Sequence, residues 1–527
     1  MSAQTSQEFG RFRSLFWPIH RNELRFFLPL LLMFFFICLN YNGLAVAKDA
    51  LVVTAPESGA EAIPFIKVWA ILPCAVGMTF VFTRLSNRFN YQKIFYIMMG
   101  IFLGFFFLFS FVLYPLREWL HPTATADKLA QILPIGFKGF IAVFRNWTFT
   151  TFYVMSELWG TMIMTVLFWG FANEIMSVGR AKRFYMLLMI GGNLGGSLAG
   201  QSVAYLSSLG YSLGQTLNRD PWGCSLILIS TFFILSGIAT LITFRWFNQH
   251  SLDRVSVLEG IQLKDRGPSE IKMGIRKNFS YLAKSKYLLC IAVIVLTYNI
   301  CINLTEVVWK DQMRKLYADP NDFIACFGQV KFYIGIMATV IALATSSMVQ
   351  KSRWTFSAMI PPMIMLITGI GFFSFLLFKE VSFLAAISSL LGFAPLAIGV
   401  FFGSVQNCFA RASKYTIFDT TKEIAFIPLS KECKLKGKAA IDGVGSRLGK
   451  SGGAVMYQGL IMFLGTVAAS IPFVAILLLF VIAAWIIAVR SLGKQFTELT
   501  QTGTVLQEPA VAAEEPLRTS TTTSSVS

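Results

Sequence analysis

The chain has 527 residues, of which 55% are hydrophobic and 14% charged, against about 25% charged in an ordinary soluble protein. Phenylalanine alone occurs 51 times, and the apolar residues fall in blocks near the roughly 20 residues that cross a bilayer as a helix. These features exclude a cytosolic enzyme, a disordered scaffold and a secreted disulfide protein. They leave an all-α membrane protein whose 45 Lys+Arg against 27 Asp+Glu give a net charge of +18.

Residues 1–25 read as an N-terminal tail carrying Arg11, Arg13, Arg21 and Arg25, with no removable-signal pattern and no organelle-type leader. The first apolar block, 26–46, runs on into Lys48-Asp49 and predicts a retained first helix. Blocks at 62–83, 94–114, 137–177, 184–208 and 223–246 complete a first half, 26–246, of six spans. The block 137–177 is long enough to hold a kink, a lateral helix or an extra crossing. A basic connector, 247–286, brings Arg254, Lys264, Arg266, Lys272, Arg276, Lys277, Lys284 and Lys286. Blocks at 287–309, 323–349, 354–378, 381–410, 440–468 and 471–490 predict six more spans in a second half, 287–492. The chain closes on a Thr/Ser-rich tail, 493–527, predicted to be disordered. The short joins Arg84-Arg88-Lys93, Arg180-Lys182-Arg183 and Lys351-Arg353 follow even-numbered spans. By the positive-inside rule they lie with both termini in the cytoplasm.

An internal match supports two equal halves. Gly192-Asn193-Leu194-Gly195-Gly196 returns as Gly449-Lys450-Ser451-Gly452-Gly453, and Tyr41-Asn42 as Tyr298-Asn299, both 257 residues later. Gly179-Arg180-Ala181 returns as Gly437-Lys438-Ala439 at 258. Two same-orientation halves of six helices are the parallel-repeat plan of major-facilitator-like transporters, with substrate between the halves near mid-membrane.

An ionised side chain at the centre of a bilayer is costly, so charges inside apolar blocks need a reason. They are Lys48, Lys67, Arg145, Glu157, Glu306, Lys310, Arg411, Lys414, Arg447 and Lys450, eight of the ten basic. With two carboxylates to neutralise two of them, the surplus predicts a polyanionic guest. Lys67 fits either a snorkelling side chain at the start of the second span or a cavity-facing cation. Lys450, among Gly449, Ser451, Gly452 and Gly453, could meet a phosphate with ammonium and backbone amides together, or lie at the cytoplasmic end near Lys434, Lys436 and Lys438. Glu157 and Glu306 fit a proton-coupling carboxylate, a gate partner or a hydrogen-bond acceptor for the guest. Glu306, beside Asn303, also stands one turn from Lys310, a spacing common in structural ion pairs. Arg411 and Lys414 share a helical face, with cavity-facing and cytoplasm-end positions both open. Asn173, beside Glu174, reads as either a site residue or an interfacial cap.

Other chemistries fit poorly. Eight scattered cysteines without a C-x-x-C and three isolated histidines predict no metal site and no cofactor. Gly443-Val444-Gly445-Ser446-Arg447-Leu448-Gly449-Lys450-Ser451 imitates a phosphate-binding loop. The required pattern needs glycine where Val444 stands, and no strand precedes it. The basic residues sit at helix ends and in joins, so no nucleic-acid partner is expected.

The chain resembles the non-mitochondrial ATP/ADP translocases of plastids and obligate intracellular bacteria, from about residue 22 to 497. The resemblance rests on Lys48-Asp49-Ala50-Leu51-Val52-Val53-Thr54, Gly59-Ala60-Glu61-Ala62-Ile63-Pro64-Phe65-Ile66-Lys67 and Ser156-Glu157-Leu158-Trp159-Gly160. It continues through Phe168-Trp169-Gly170-Phe171-Ala172-Asn173, Ile302-Asn303-Leu304-Thr305-Glu306-Val307, Lys438-Ala439-Ala440-Ile441-Asp442 and Gly449-Lys450-Ser451-Gly452-Gly453. It implies an antiporter, not an enzyme, exchanging ATP for ADP by alternating access, with phosphate a candidate companion of ADP. The family's two essential lysines and two essential glutamates fall on Lys67, Lys450, Glu157 and Glu306. The absence of a leader favours a bacterial inner membrane, and a monomer in the lipid bilayer is expected. The alternative is a proton-coupled importer of nucleotides or organic anions.

Overall fold

The computed structural model describes residues 19–20, 23–176, 178–252, 285–351, 353–378, 389–390, 392–430, 437, 441 and 446–502, and these are almost entirely helical. In chain order the helices are α1 (Leu24–Val53), α2 (Ala62–Ser86), α3 (Tyr91–Leu113), α4 (Thr123–Ile132), α5 (Lys138–Arg145), α6 (Trp147–Ile175) and α7 (Val178–Thr216). They continue with α8 (Pro221–Phe247), α9 (Lys286–Leu316), α10 (Pro320–Lys351), α11 (Trp354–Leu377), α12 (Pro395–Ser413), α13 (Ser446–Leu464) and α14 (Val467–Thr502). Each of the twelve apolar blocks meets a helix. Among the described residues nine helices are long and apolar enough to cross a membrane. The other three counterparts are α7, α12 and α13; the described apolar stretch of α13, Ser451–Leu464, is shorter than a span. Most of the connector and of the far C-terminal tail lies outside the described residues.

The long fourth block resolves into the short helix α5 and the span α6. Asn146 breaks the helix between them, and its side-chain amide donates to Pro56 O at 3.1 Å. The predicted disorder of 493–527 fails at its start, because α14 continues to Thr502. There Phe496 stacks on Trp354 with ring centroids 5.4 Å apart, and Thr497, Thr500 and Thr502 turn their hydroxyls back onto the preceding carbonyls. Packing overrides the compositional preference.

The helices are apolar on both sides for different reasons. Phe27, Phe95, Phe102 and Trp485 are buried between helices, whereas Val76, Phe80, Ile242, Ile367 and Phe480 point outward. An outward apolar surface of this kind is what a bilayer solvates.

The repeat seen in the sequence is a packing unit. Gly195 of α7 brings its backbone so near α1 that an added Cβ would stand 2.6 Å from Phe35 O, and Gly192 and Gly196 press on Phe34 and Asn42. Gly449 and Gly453 of α13 press in the same way on Asn299 and Asn303 of α9. Asn42 and Asn299 each donate to the carbonyl four residues back, Cys38 O at 3.0 Å and Val295 O at 2.8 Å.

The halves meet along two seams. In one, α7 and α10 cross so closely that a Cβ on Gly200 would be 2.3 Å from Gly328 O. Ser207 and Ser225 both donate to Asn321 Oδ1, at 3.0 and 2.6 Å, beside that crossing. In the other, α2 packs on α13, and Gly136, just before α5, lies 2.5 Å (as a Cβ) from Met462 O. Besides those serine–asparagine bonds, polar links between the halves that join described residues include Lys67–Asn303 and Asp49–Lys310 in the interior and, toward the far ends of α1 and α9, the bond from Arg314 to Ser58 O. Chain order and these contacts place the starts of α1 and α9 together on the opposite, terminal face.

Candidate functional site

At the centre of the bundle Lys310 of α9 binds two carboxylates at once. Its Nζ lies 2.8 Å from Asp49 Oδ2 of α1 and 3.0 Å from Glu306 Oε1 one turn before it. Asp49 and Glu306 are 257 residues apart, so they are the same position in the two halves. Lys310 therefore sits on the pseudo-twofold relation and ties one half to the other. Glu306 Oε1 also accepts from Arg411 of α12 at 2.9 Å. A carboxylate removed from water is held charged only when well paired, and these two cations meet that need.

A second pair lies in the first half. Lys48 of α1 binds Glu157 of α6, and its ammonium stands 4.1 Å from the centroid of the Tyr153 ring. Glu157 is followed directly by the π-helical turn Gly160–Trp169, and the ring of Tyr41 fills the space over Gly160. Helical irregularities of this type free backbone groups and re-aim side chains.

Lys67 occupies another π-helical stretch, Ile66–Ile71. Pro73 follows, and its missing N–H removes a regular bond to the preceding turn, which favours the wider turn there. Lys67 crosses to the other half and donates to Asn303 Oδ1 of α9. The Asn303 amide is oriented for this because its Nδ2 donates to Asn299 O at 2.8 Å. Lys331 of α10, 8% exposed, completes the group. Its ammonium and that of Lys310 each lie 5.6 Å from the centroid of Phe327.

The described centre thus holds five cations, Lys48, Lys67, Lys310, Lys331 and Arg411, and three carboxylates, Asp49, Glu157 and Glu306. Among the described side chains the excess is two. Arg145 is bound by Asp127, and Lys414 by Asp419 at 3.1 Å, so neither belongs to the excess. Asp49 and Lys331 are the central residues that sequence reasoning missed. Lys331 sits alone in an apolar block, and for Asp49, beside Lys48, the 257-residue offset to Glu306 was an available signal.

Of the sequence-derived candidates, the structure brings together Lys67, Glu157, Glu306, Asn303, Lys310 and Arg411. Asn173 stands apart and exposed, accepting from Tyr185 Oη. The side chains of Lys450 and Arg447 lie outside the described side chains, although the backbone of both belongs to α13. The backbone of Lys450 is fixed between Gly449 and Gly453, which abut Asn299 and Asn303.

A separate ion cluster closes the terminal face of the first half. Glu23, just before α1, accepts from Arg183 at 2.8 and 2.6 Å and lies 3.6 Å from Arg180. Burial opposes its charge, but the Arg183 guanidinium and the backbone N–H of His20 outweigh that, holding the carboxyl below its usual range.

Three comparisons place these features among known proteins. The sequence profile described as "TLC ATP/ADP transporter" matches residues 2–496. ADP,ATP carrier protein 1 of Chlamydia pneumoniae is 42% identical over 518 residues, covering 98% of this chain and 99% of that protein. The chloroplastic ADP,ATP carrier protein 1 of Arabidopsis thaliana is 40% identical over 476 residues, covering 90% and 74% respectively. Among solved structures, a bacterial homologue of the iron transporter ferroportin superposes with a TM-score of 0.54 at 13% identity, covering 90% of this chain and 99% of its own. That likeness establishes the major-facilitator-like fold and nothing about substrate.

Proposed function

The chain belongs to the TLC ATP/ADP transporter family, and from that premise we propose how its central charges perform the exchange of ATP for ADP across a membrane. The reading rests on one observation above all. Between the halves lies a buried and half-buried group of five cations and three carboxylates, each carboxylate paired with a cation other than Lys67 or Lys331.

Nucleotide phosphates supply the missing negative charge. Lys67 and Lys450, from neighbouring helices of opposite halves, neutralise phosphate oxygens, with Arg411 beside them. Asn303 orients Lys67, and Lys310 holds the two halves in register. Lys414, bound to Asp419, and Asn173, at the rim, act at the margin of this site. Glu157 and Glu306 hold Lys48, Lys310 and Arg411 in place, and compete with phosphate for them as nucleotide enters and leaves. An empty centre keeps uncompensated charge, and closing both ends around it removes that charge from water. A loaded centre is nearer neutrality, so reorientation favours the loaded carrier, and exchange results. The nucleotide leaves chemically unchanged. The chain is placed as a monomer in a bacterial inner membrane with both termini cytoplasmic, its halves spanning 26–246 and 287–492.

Labelled ATP uptake into proteoliposomes of defined internal content tests this. Internal ADP should accelerate uptake strongly, and a proton gradient alone should not drive it. Net accumulation into vesicles lacking internal nucleotide would overturn obligatory exchange in favour of proton-coupled import. Adding internal phosphate with and without ADP separates phosphate co-transport from simple exchange. Lys67→Ala and Lys450→Ala should each reduce nucleotide exchange while inserting normally.

A further inference from the structure

Lys331 carries an ammonium group that the packing of the protein does not explain. The residue is 8% exposed, lies in the middle of α10, and has no ion pair or hydrogen bond among the described residues. The carboxylates in its neighbourhood are Asp49 and Glu306, and both are committed to other cations: Asp49 to Lys310, and Glu306 to Lys310 and Arg411. Its surroundings add like charge, since Lys310 and Arg411 are among its nearest charged neighbours. Among the described residues its close contact is with the Phe327 ring, which it shares with Lys310 at 5.6 Å. A weak cation–π contact shared between two ammonium groups does not offset the loss of water around a buried charge.

The position of Lys331 is fixed from behind. A Cβ on Gly200 of α7 would stand 3.1 Å from Lys331 Cβ and 2.8 Å from Phe332 N, so the root of the side chain is pressed against the other half of the protein. The side chain has little room to withdraw along that seam. A methionine or leucine would fill the same space without the electrostatic cost, so the charge itself needs a partner that the chain does not supply.

We propose that Lys331 is a phosphate-binding residue of the central site, pairing with the polyphosphate of a nucleoside di- or triphosphate. This rests on the exchange function above and adds a further anchoring helix to it, α10, beside α2, α12 and α13. With Lys67 it accounts for the two positive charges in excess of the carboxylates. A multiply charged phosphate chain bridging Lys67 and Lys331 would contact α2 of one half and α10 of the other, across both seams of the molecule.

The test uses the full-length carrier. Nucleotide affinity is read from the ADP- and ATP-dependent rise of the melting temperature, and KM from exchange in liposomes, for wild type, Lys331→Met, Lys331→Gln, Lys331→Arg and the control Lys315→Met, an exposed lysine in the last turn of α9 paired with Asp311. Lys331→Met should melt no lower than wild type without nucleotide, because it removes an unpaired buried charge. It should weaken binding of both nucleotides by about 30-fold or more, the lower end of what truncating a buried charged hydrogen bond costs. Lys331→Arg should recover much of that affinity, and Lys315→Met should match wild type. Binding of ADP and ATP by Lys331→Met within about threefold of wild type would overturn the proposal. So would failure of both neutral variants to assemble with rescue by Lys331→Arg, since the charge would then serve folding. Absence of exchange by the wild type itself would reject the transport reading instead, which separates the two failures.

Discussion

The two halves of this protein share their packing but differ in their charges. On α1 and α9 the matched positions carry Tyr41-Asn42 and Tyr298-Asn299, then Asp49 and Glu306. The glycine runs on α7 and α13 lean on those helices alike. One turn beyond the carboxylates the likeness ends, with Val53 in the first half where the second has Lys310. The reason is electrostatic. One ammonium on the pseudo-twofold relation already pairs with both carboxylates, and a second would place like charges between the same two partners. Duplication thus yields a symmetric scaffold, while the charge that joins the halves must come from one side only.

Breaking that shared lysine should have the largest effect. Lys310→Met leaves Asp49 without a cation among the described residues and removes one of two from Glu306, so the melting temperature should fall by the equivalent of about 3–5 kcal/mol, and exchange should be lost. Adding Asp49→Asn to Lys310→Met should cost less than the sum of the single changes, a coupling that a double-mutant cycle measures. If the symmetry argument holds, Val53→Lys in the Lys310→Met background should restore part of the melting temperature from the opposite half. No recovery in a variant that assembles would show that the halves are not interchangeable at this layer.

The two equivalent carboxylates give a sharper version at somewhat smaller scale. Glu306 holds Lys310 and Arg411, whereas Asp49 holds Lys310. Glu306→Gln should therefore reduce exchange more than Asp49→Asn, by about tenfold or more, within the range for truncating one member of a buried charged pair. Initial rates of ATP uptake in matched liposomes check the order, and equal losses would mean that Arg411 draws nothing from Glu306.

Much of this architecture was legible in the sequence, because membrane helices announce themselves by length and apolar content. The block 26–46, for example, falls within α1. The family, and with it the emphasis on Lys67, Glu157 and Glu306, was legible from local motifs. The partnerships were not. Asp49 and Lys310 are 261 residues apart and meet only where the folded bundle brings α1 against α9. Lys331 was overlooked because one lysine hardly alters the character of a long apolar block, and only burial without a partner makes it informative. The disorder expected from residue 493 failed for a similar reason. Thr-rich composition describes what a free chain prefers, and the Trp354–Phe496 stack is a tertiary contact.

The glycine runs allow a test of where the packing symmetry stops. Gly195 and Gly452 are matched by the same 257-residue offset. A Cβ at Gly195 would stand 2.6 Å from the backbone oxygen of Phe35, while one at Gly452 would meet nothing within 4 Å. Gly195→Ala should then destabilise the carrier by about 1–3 kcal/mol through overpacking. Gly452→Ala should be neutral or stabilise it by up to about 1 kcal/mol through helix propensity alone. Melting curves of the two variants in one detergent decide it, and equal destabilisation would mean that α13 is clamped as tightly as α7.

The smallest expected effect concerns a segment between α3 and α6, residues 117–145, that is longer than its counterpart between α11 and α12. His121 anchors it, with Nε2 2.6 Å from Thr148 Oγ1 and its ring edge-on to Phe149 at 4.9 Å. Burial, and then the nearby Arg117, push the imidazole below its usual value of 6.5. The folded state therefore takes up a proton less readily than the unfolded chain. The stability this contributes is fully present above about pH 6.5 and is lost as the pH falls below it. Lowering the pH from about 7.5 to 5.5 should reduce the melting temperature of the wild type by about 1–2 °C more than that of His121→Gln, which keeps a neutral hydrogen-bonding group but cannot titrate there. Identical pH slopes for the two proteins would show that the long segment of the first half rests on its apolar contacts, with no share carried by a neutral histidine.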